Sequence, residues 1–255
     1  MKMMCKVYDF EAGLLKAEVR KITKGDFLQD MEDYLGKMLD GRQRLTRSYL
    51  LSYPFFVKYF SEVENITFNE LILGVYLIYG WMLRALCFNE GKPLSQEDFV
   101  ELRAKLSEVQ KWSEKHFDEM LGKDGCASEK GKEEKSLFLL KKVTNGSIVG
   151  MSKLLHFINP KFFPIYDSNI AAVVGEVKTV DEYFAYVKAF HCFTKEILNH
   201  DSEEFERIRK DFEDACRKEF GNQTNMEVTT VRAIELVLFQ IGKSIKDSKK
   251  TAKNP

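Results

Sequence analysis

The sequence predicts an all-α fold of about nine helices, and three observations predict it. Apolar residues recur at helical spacing through almost every segment. Several of those segments open with Thr, Ser or Asp followed three residues later by Glu or Asp, the signature of a capped helix start. Sustained apolar/polar alternation with hairpin turns is absent, as is any strand-helix-strand rhythm. The helices are expected in one domain or in two lobes. Residues 1–121 would form an N-terminal helical lobe and 122–136 a mobile loop or linker. A C-terminal helical lobe with a hairpin would cover 137–246, and a basic tail 247–255.

Composition supports a large apolar core. Of the 255 residues 44% are hydrophobic and 31% charged, a balance typical of an ordered globular chain. Lys plus Arg and Asp plus Glu both total 39, so the net charge is zero and no global basic field argues for nucleic acid. A local basic face is compatible with that balance. The start, MKMMCKVYDFEAG, carries no apolar core region or cleavage-like site, and a cytoplasmic location is expected. Five scattered cysteines show no zinc, iron–sulfur or disulfide spacing, and neither a metal nor another cofactor is expected.

Taken in order, the first predicted helix carries Phe27, Met31, Leu35 and Met38 on one face, with Asp26 as its cap. Arg42 to Phe60 follows, and Pro54 is expected to end or kink it. Thr67 and Glu70 form a capping box ahead of Leu71 to Phe88, a helix apolar on nearly all sides. Its uncharged run, Leu71 to Leu83, is shorter than the roughly 20 residues a membrane span needs, so it is read as a core helix with Arg84 near its end. Ser95 with Asp98 starts a helix whose stripe is Phe99, Leu102, Leu106, Val109, Trp112, His116 and Met120. Gly122 to Ser136 has no apolar periodicity and is the expected loop.

Thr179 with Glu182 and Asp201 with Glu204 then open two amphipathic helices. The first carries Tyr183, Phe184, Val187, Phe190 and Phe193, and the second Phe205, Ile208, Phe212 and Phe220. The last helix places Val231, Ile234, Leu238, Ile241 and Ile245 at 3.6-residue spacing before a lysine-rich tail.

The distinctive stretch is Asn145 to Gly175, NGSIVGMSKLLHFINPKFFPIYDSNIAAVVG. A helix over Leu137 to Val143 stops at Asn145-Gly146, a pair suited to a left-handed cap. A second helix begins near Met151 and runs to Pro160, so a hairpin-like helix-turn-helix is expected near residues 137–158. The N–H groups opening that second helix suit an anion such as a DNA phosphate. Phe162 to Tyr166 is an extended connection, and Asp167 or Ser168 caps the helix Asn169 to Val174.

This stretch resembles the helix-hairpin-helix DNA glycosylase superfamily. The parallel elements are Val149-Gly150-Met151-Ser152-Lys153, like the family's Gly-apolar-Gly-x-Lys hairpin, and Phe163-Pro164-Ile165-Tyr166-Asp167, like its Pro-apolar-x-Asp element. The resemblance covers about thirty residues. It departs from the pattern in placing Gly146 and Gly150 four apart, in the short Lys153 to Asp167 separation, and in lacking the cysteines of an iron–sulfur loop. A vaguer likeness, from the Tyr79 to Met82 helix together with the central stretch, is to bacterial proteins of no assigned function, and it adds no chemistry.

The glycosylase resemblance implies duplex DNA as partner. Lys153 would be the amine nucleophile at the sugar C1′, and Asp167 the carboxylate supporting it. Gly146, Gly150, Ser152, Phe163, Tyr166 and Asn169 would then be binding residues, with Phe162, Phe163 or Tyr166 filling the gap left by a flipped base. The residues also admit plainer roles: Asp167 as an N-cap, Lys153 as a solvated lysine, His156 as a hydrogen-bonded core histidine. The alternative function is a non-enzymatic helical module for nucleic acid or protein. A small-molecule enzyme working between two lobes ranks last, for want of a phosphate loop.

Overall fold

The computed structural model describes residues 24–39, 44–61, 96–113, 146–220 and 227–251, with single positions between 65 and 77 and at 141 and 144. The expected linker 122–136, Arg84, His116, Met120, Asn145, the Tyr79 to Met82 segment and the end of the basic tail lie outside these residues. Among the described residues the chain is all-α, without a strand. Its long helices are α1 (Lys24–Met38), α2 (Arg44–Phe60), α3 (Gln96–Gln110), α4 (Ile148–Ile158), the short α5 (Ile170–Val174), α6 (Val180–Phe220) and α7 (Thr230–Thr251). Asp201, with φ −157° and ψ 87°, breaks α6 into two arms.

Helix starts follow local chemistry closely. Thr67 and Glu70 form the reciprocal box: the Thr67 N–H donates to Glu70 Oε2 (2.8 Å), and Glu70 N–H to Thr67 Oγ1 (3.3 Å). At α6 the Thr179 hydroxyl accepts from Glu182 N–H, while the Glu182 carboxylate reaches back to the Lys178 N–H. Asp201 Oδ1 accepts from Glu204 N–H and opens the second arm. Two boundaries differ from the sequence expectation. α1 is already helical at Lys24, so Asp26 lies within the helix and not ahead of it as a cap. α4 starts at Ile148, capped by Ser147 Oγ accepting from Gly150 N–H (3.1 Å). And of the two outcomes expected at Pro54, an end or a kink, α2 does not end there, since buried Leu50, Tyr53 and Phe60 offset the hydrogen bond that proline cannot donate.

The buried apolar residues of every long helix join one core. α1 lies on α6 and α7, with Phe27 edge-on to Phe193 at 5.7 Å. α4 packs against α2, α3 and α6, and Phe157 stacks on Phe56 at 4.8 Å. The Asn159 amide donates to the Val109 and Trp112 carbonyls, tying the end of α4 to the end of α3. Glu213 accepts from the Val228 N–H and pairs with Arg209 and Arg217, which anchors the second arm of α6 to the chain entering α7.

α7 comes close to the backbone that enters α5. A Cβ on Gly242 would collide with the Asn169 carbonyl. One turn on, Lys246 Nζ donates to Ser168 Oγ (2.8 Å) and Asn169 Oδ1 (2.9 Å). The turn from Asp167 to Asn169 is therefore held in place by the face of α7. Gly242→Ala should cost about 1–3 kcal/mol as the two backbones are forced apart. Gly36→Ala, at a helical position with open space around it, should leave stability equal or raise it. Urea unfolding midpoints of the two variants check this contrast.

Candidate functional site

Residues Phe162 to Tyr166 run through the interior outside any helix, with only the Phe162 and Phe163 N–H groups turning back to the Asn159 carbonyl. A buried peptide carbonyl without a donor costs about 1–3 kcal/mol, so five in succession need five partners. Side chains of α4 and α6 supply them in order. His191 Nε2 donates to the Phe162 carbonyl (2.8 Å) and His156 Nδ1 to that of Phe163 (2.5 Å). The Tyr183 and Tyr186 hydroxyls donate to Pro164 (3.0 Å) and Ile165 (3.1 Å). Ser152 Oγ lies 3.1 Å from the Tyr166 carbonyl and accepts the Tyr166 N–H at 3.0 Å. Because carbonyls only accept, both histidines carry their proton on the nitrogen facing this segment. The Tyr166 hydroxyl then donates to the Gly175 carbonyl and accepts from the Val177 N–H, closing the loop around α5.

This ladder aims the chain so that Asp167 emerges at the start of α5. Its Oδ1 accepts from the N–H groups of Asn169 (2.8 Å) and Ile170 (3.0 Å), so Asp167, and not Ser168, is the side-chain cap. Lys153 sits one residue past Ser152 on α4 and is only 8% exposed. Burial lowers its pKa to about 8, against the opposing attraction of Asp167 and Glu235, while Arg232 pushes it further down. Lys153 and Asp167 are thus within electrostatic reach of each other at one buried region.

That region holds a second charge pair, from α7. Arg232 and Glu235 form an ion pair at 3% and 2% exposure. Burial raises Glu235 to about 7, Arg232 opposing that rise by charge and hydrogen bond. The Arg232 guanidinium lies over the Tyr53 ring at 4.7 Å, and its Nε has no hydrogen-bond partner. The Tyr53 hydroxyl is 2.9 Å from His156 Nε2, which accepts because Nδ1 is the donor. A continuous polar chain thus runs from the Phe163 carbonyl through His156 and Tyr53 to the α7 pair.

The sequence-derived binding residues scatter over this geometry. Gly146 is exposed, with φ 70°, and its N–H closes the turn onto the Lys141 carbonyl (2.7 Å). Gly150 and Ser152 are buried in the first turns of α4. Phe163 and Tyr166 lie in the core, Phe163 beside Trp112 at 5.9 Å and Tyr166 edge-on to Tyr186 at 5.6 Å. Asn169 is held by α7. Arg232, Glu235 and Tyr53 were not singled out from the sequence. Their one signal is an Arg and a Glu three apart inside the run VRAIELVL, apolar on both sides of each charge.

Among the described residues no group of His, Cys, Asp and Glu could hold a metal, and no helix is long and apolar enough to cross a membrane. Comparison with protein-family models, curated proteins and solved structures finds no match.

Tyr183→Phe removes one donor and leaves the Pro164 carbonyl bare, so it should cost about 1–3 kcal/mol in chemical denaturation. His156 gives a pH signature. Burial, and then the Arg232 charge, lower it from 6.5 to about 3. Between those values the unfolded chain binds a proton that the folded chain refuses, so this stability is present above pH 6.5 and is lost as pH falls towards 3. Glu235 acts oppositely from about 7 down to 4.5, where the folded chain takes up the proton first. His156→Gln, weaker at neutral pH, should therefore lose less additional stability than wild type between pH 6.5 and 3. An equal loss on acid titration followed by circular dichroism would refute a neutral His156.

Proposed function

We propose that this chain is a DNA-binding protein of the helix-hairpin-helix glycosylase type, in which the Lys153 amine attacks the C1′ of a flipped nucleotide and Asp167 supports the charge that develops. The observation that carries the reading is Lys153 itself: a lysine 8% exposed, brought to about 8 by burial and flanked by the charge of Asp167. An amine in that state is partly neutral near physiological pH and so partly nucleophilic. In the step, the amine nitrogen bonds to C1′, the glycosidic C–N bond breaks, and the base departs with the electron pair. Loss of the amine proton and opening of the sugar ring leave an imine that borohydride reduces.

A second reading is favoured by a different observation. Asp167 Oδ1 is committed to the start of its own helix, and Phe163 and Tyr166 are core residues. On that reading the chain is a non-enzymatic helical module, and Lys153 belongs to its internal charge balance.

Borohydride trapping on duplexes carrying damaged bases or an abasic site separates the two. The glycosylase reading expects a covalent adduct with wild type that disappears in Lys153→Ala, the variant being shown folded by circular dichroism. It is overturned by the absence of an adduct together with no alkali-labile strand breaks and no salt-sensitive DNA binding.

A further inference from the structure

Lys246 lies one turn of α7 beyond Gly242, the residue that lets this helix touch the Asn169 carbonyl, and its ammonium ends between two side chains of the Asp167 turn. It donates to Ser168 Oγ at 2.8 Å and to Asn169 Oδ1 at 2.9 Å. An ammonium only donates, so both partners present their oxygens to it. The Ser168 hydroxyl hydrogen and the Asn169 NH2 group are therefore turned away from Lys246, and one of the three ammonium hydrogens is spent on neither residue. Donors of three kinds and one positive charge thus gather on a turn where Ser168 is exposed and Asn169 and Lys246 are half-buried. We propose that Lys246, Ser168 and Asn169 form a clamp for one phosphodiester oxyanion of duplex DNA.

The inference rests on the proposed DNA partner and adds a second contact with it, on the same turn as Asp167. Lysine, serine and asparagine side chains are the groups that commonly take backbone phosphates. The surroundings favour a monoanion. A phosphodiester carries one negative charge for the one cation, and two unesterified oxygens for the neutral donors. A second negative charge is opposed by the Asp167 carboxylate, next to Ser168 in the chain, whose Oδ1 is fixed to the Asn169 and Ile170 N–H groups. Along α7, Lys243 and Lys249 stand three residues to either side of Lys246 and share its face, while Asp247 is turned about 100° from it. The backbone contact at Gly242 also sets Lys246 on the turn before a ligand arrives, so little side-chain freedom is left to lose on binding.

The test uses the full chain and two probes. Dimethyl phosphate, a monoanionic diester, is titrated at constant ionic strength while nitrogen-15 NMR follows the Asn169 side-chain NH2. That signal should move saturably in wild type and stay still in Lys246→Met. Inorganic phosphate above neutral pH, largely a dianion, should move it less, and an equal or stronger response overturns the diester assignment. The second probe is a duplex carrying a non-cleavable abasic-site analogue, followed by fluorescence anisotropy over a range of salt. Lys246→Met should weaken its binding about tenfold and reduce the slope of log affinity against log salt by about one. Ser168→Ala should weaken it about threefold at an unchanged slope. A still Asn169 signal in wild type, or a wild-type slope in Lys246→Met, overturns the clamp even if borohydride trapping succeeds. The expected shifts and slope with no trapping on any duplex sustain the clamp while the glycosylase reading fails. Should Lys246→Met not fold, Ser168→Ala decides at its exposed position, and wild-type affinity in that variant overturns the inference.

Discussion

A non-helical segment buried among helices must find a donor for every carbonyl it brings inside, and the rest of this structure is arranged around meeting that demand. Phe162 to Tyr166 presents five carbonyls in a row; His191, His156, Tyr183 and Tyr186 take the first four, and the Ser152 hydroxyl, which accepts the Tyr166 N–H, lies between the Tyr166 and Val149 carbonyls. The need explains why α4 and the first arm of α6 carry hydroxyl and imidazole groups on faces that are otherwise apolar. It also explains why His156, Tyr183 and Tyr186 stay neutral. A charged imidazole would be costly at full burial, and each tyrosine proton is used as a donor. Tyr183 and Tyr186 meet both needs, since a ring with one polar atom fills space and donates at once.

Once the segment is held, the position of Asp167 follows. The chain leaves the ladder at Tyr166, whose hydroxyl pins the far end of α5 through Gly175 and Val177. Between those points Asp167 caps α5 and Gly242 admits α7 to backbone contact. The approach leaves room for only hydrogen at position 242, so specificity for this packing resides in one missing methyl group. Elsewhere among these helices Lys153, Arg232 and Glu235 are buried and Asp167 is half-buried. Two acids and two bases balance formally, which is the condition under which buried charges persist without large desolvation losses.

Much of this architecture was legible from pattern. Where they are described, the stripe residues on α1, α3, α6 and α7 are buried except the half-buried Phe220 and Ile245, and Thr67, Thr179 and Asp201 cap where their spacing to glutamate says they should. Such signals are local: a cap needs three neighbouring residues, and a stripe only its own helix. Pro54 shows the limit. Its intrinsic effect is to stop a helix, and the burial of residues on either side, which no local pattern reports, carries α2 through it. Ser147 shows another, since the helix expected to begin near Met151 opens three residues earlier, at Ile148, on the Ser147 cap.

By itself the sequence determined an all-helical chain, the placement of most helices, the left-handed turn at Gly146, the core character of His156 and the helix start at Asp167. Each depends on neighbours within a few residues. Only the tertiary structure decided that Lys153 is buried, that Phe163 and Tyr166 face inward, and that Arg232 and Glu235 join the same region from a helix some eighty residues away. Charge states there are set by desolvation and by the sum of fields from four separate elements. Those quantities do not exist until the helices have packed.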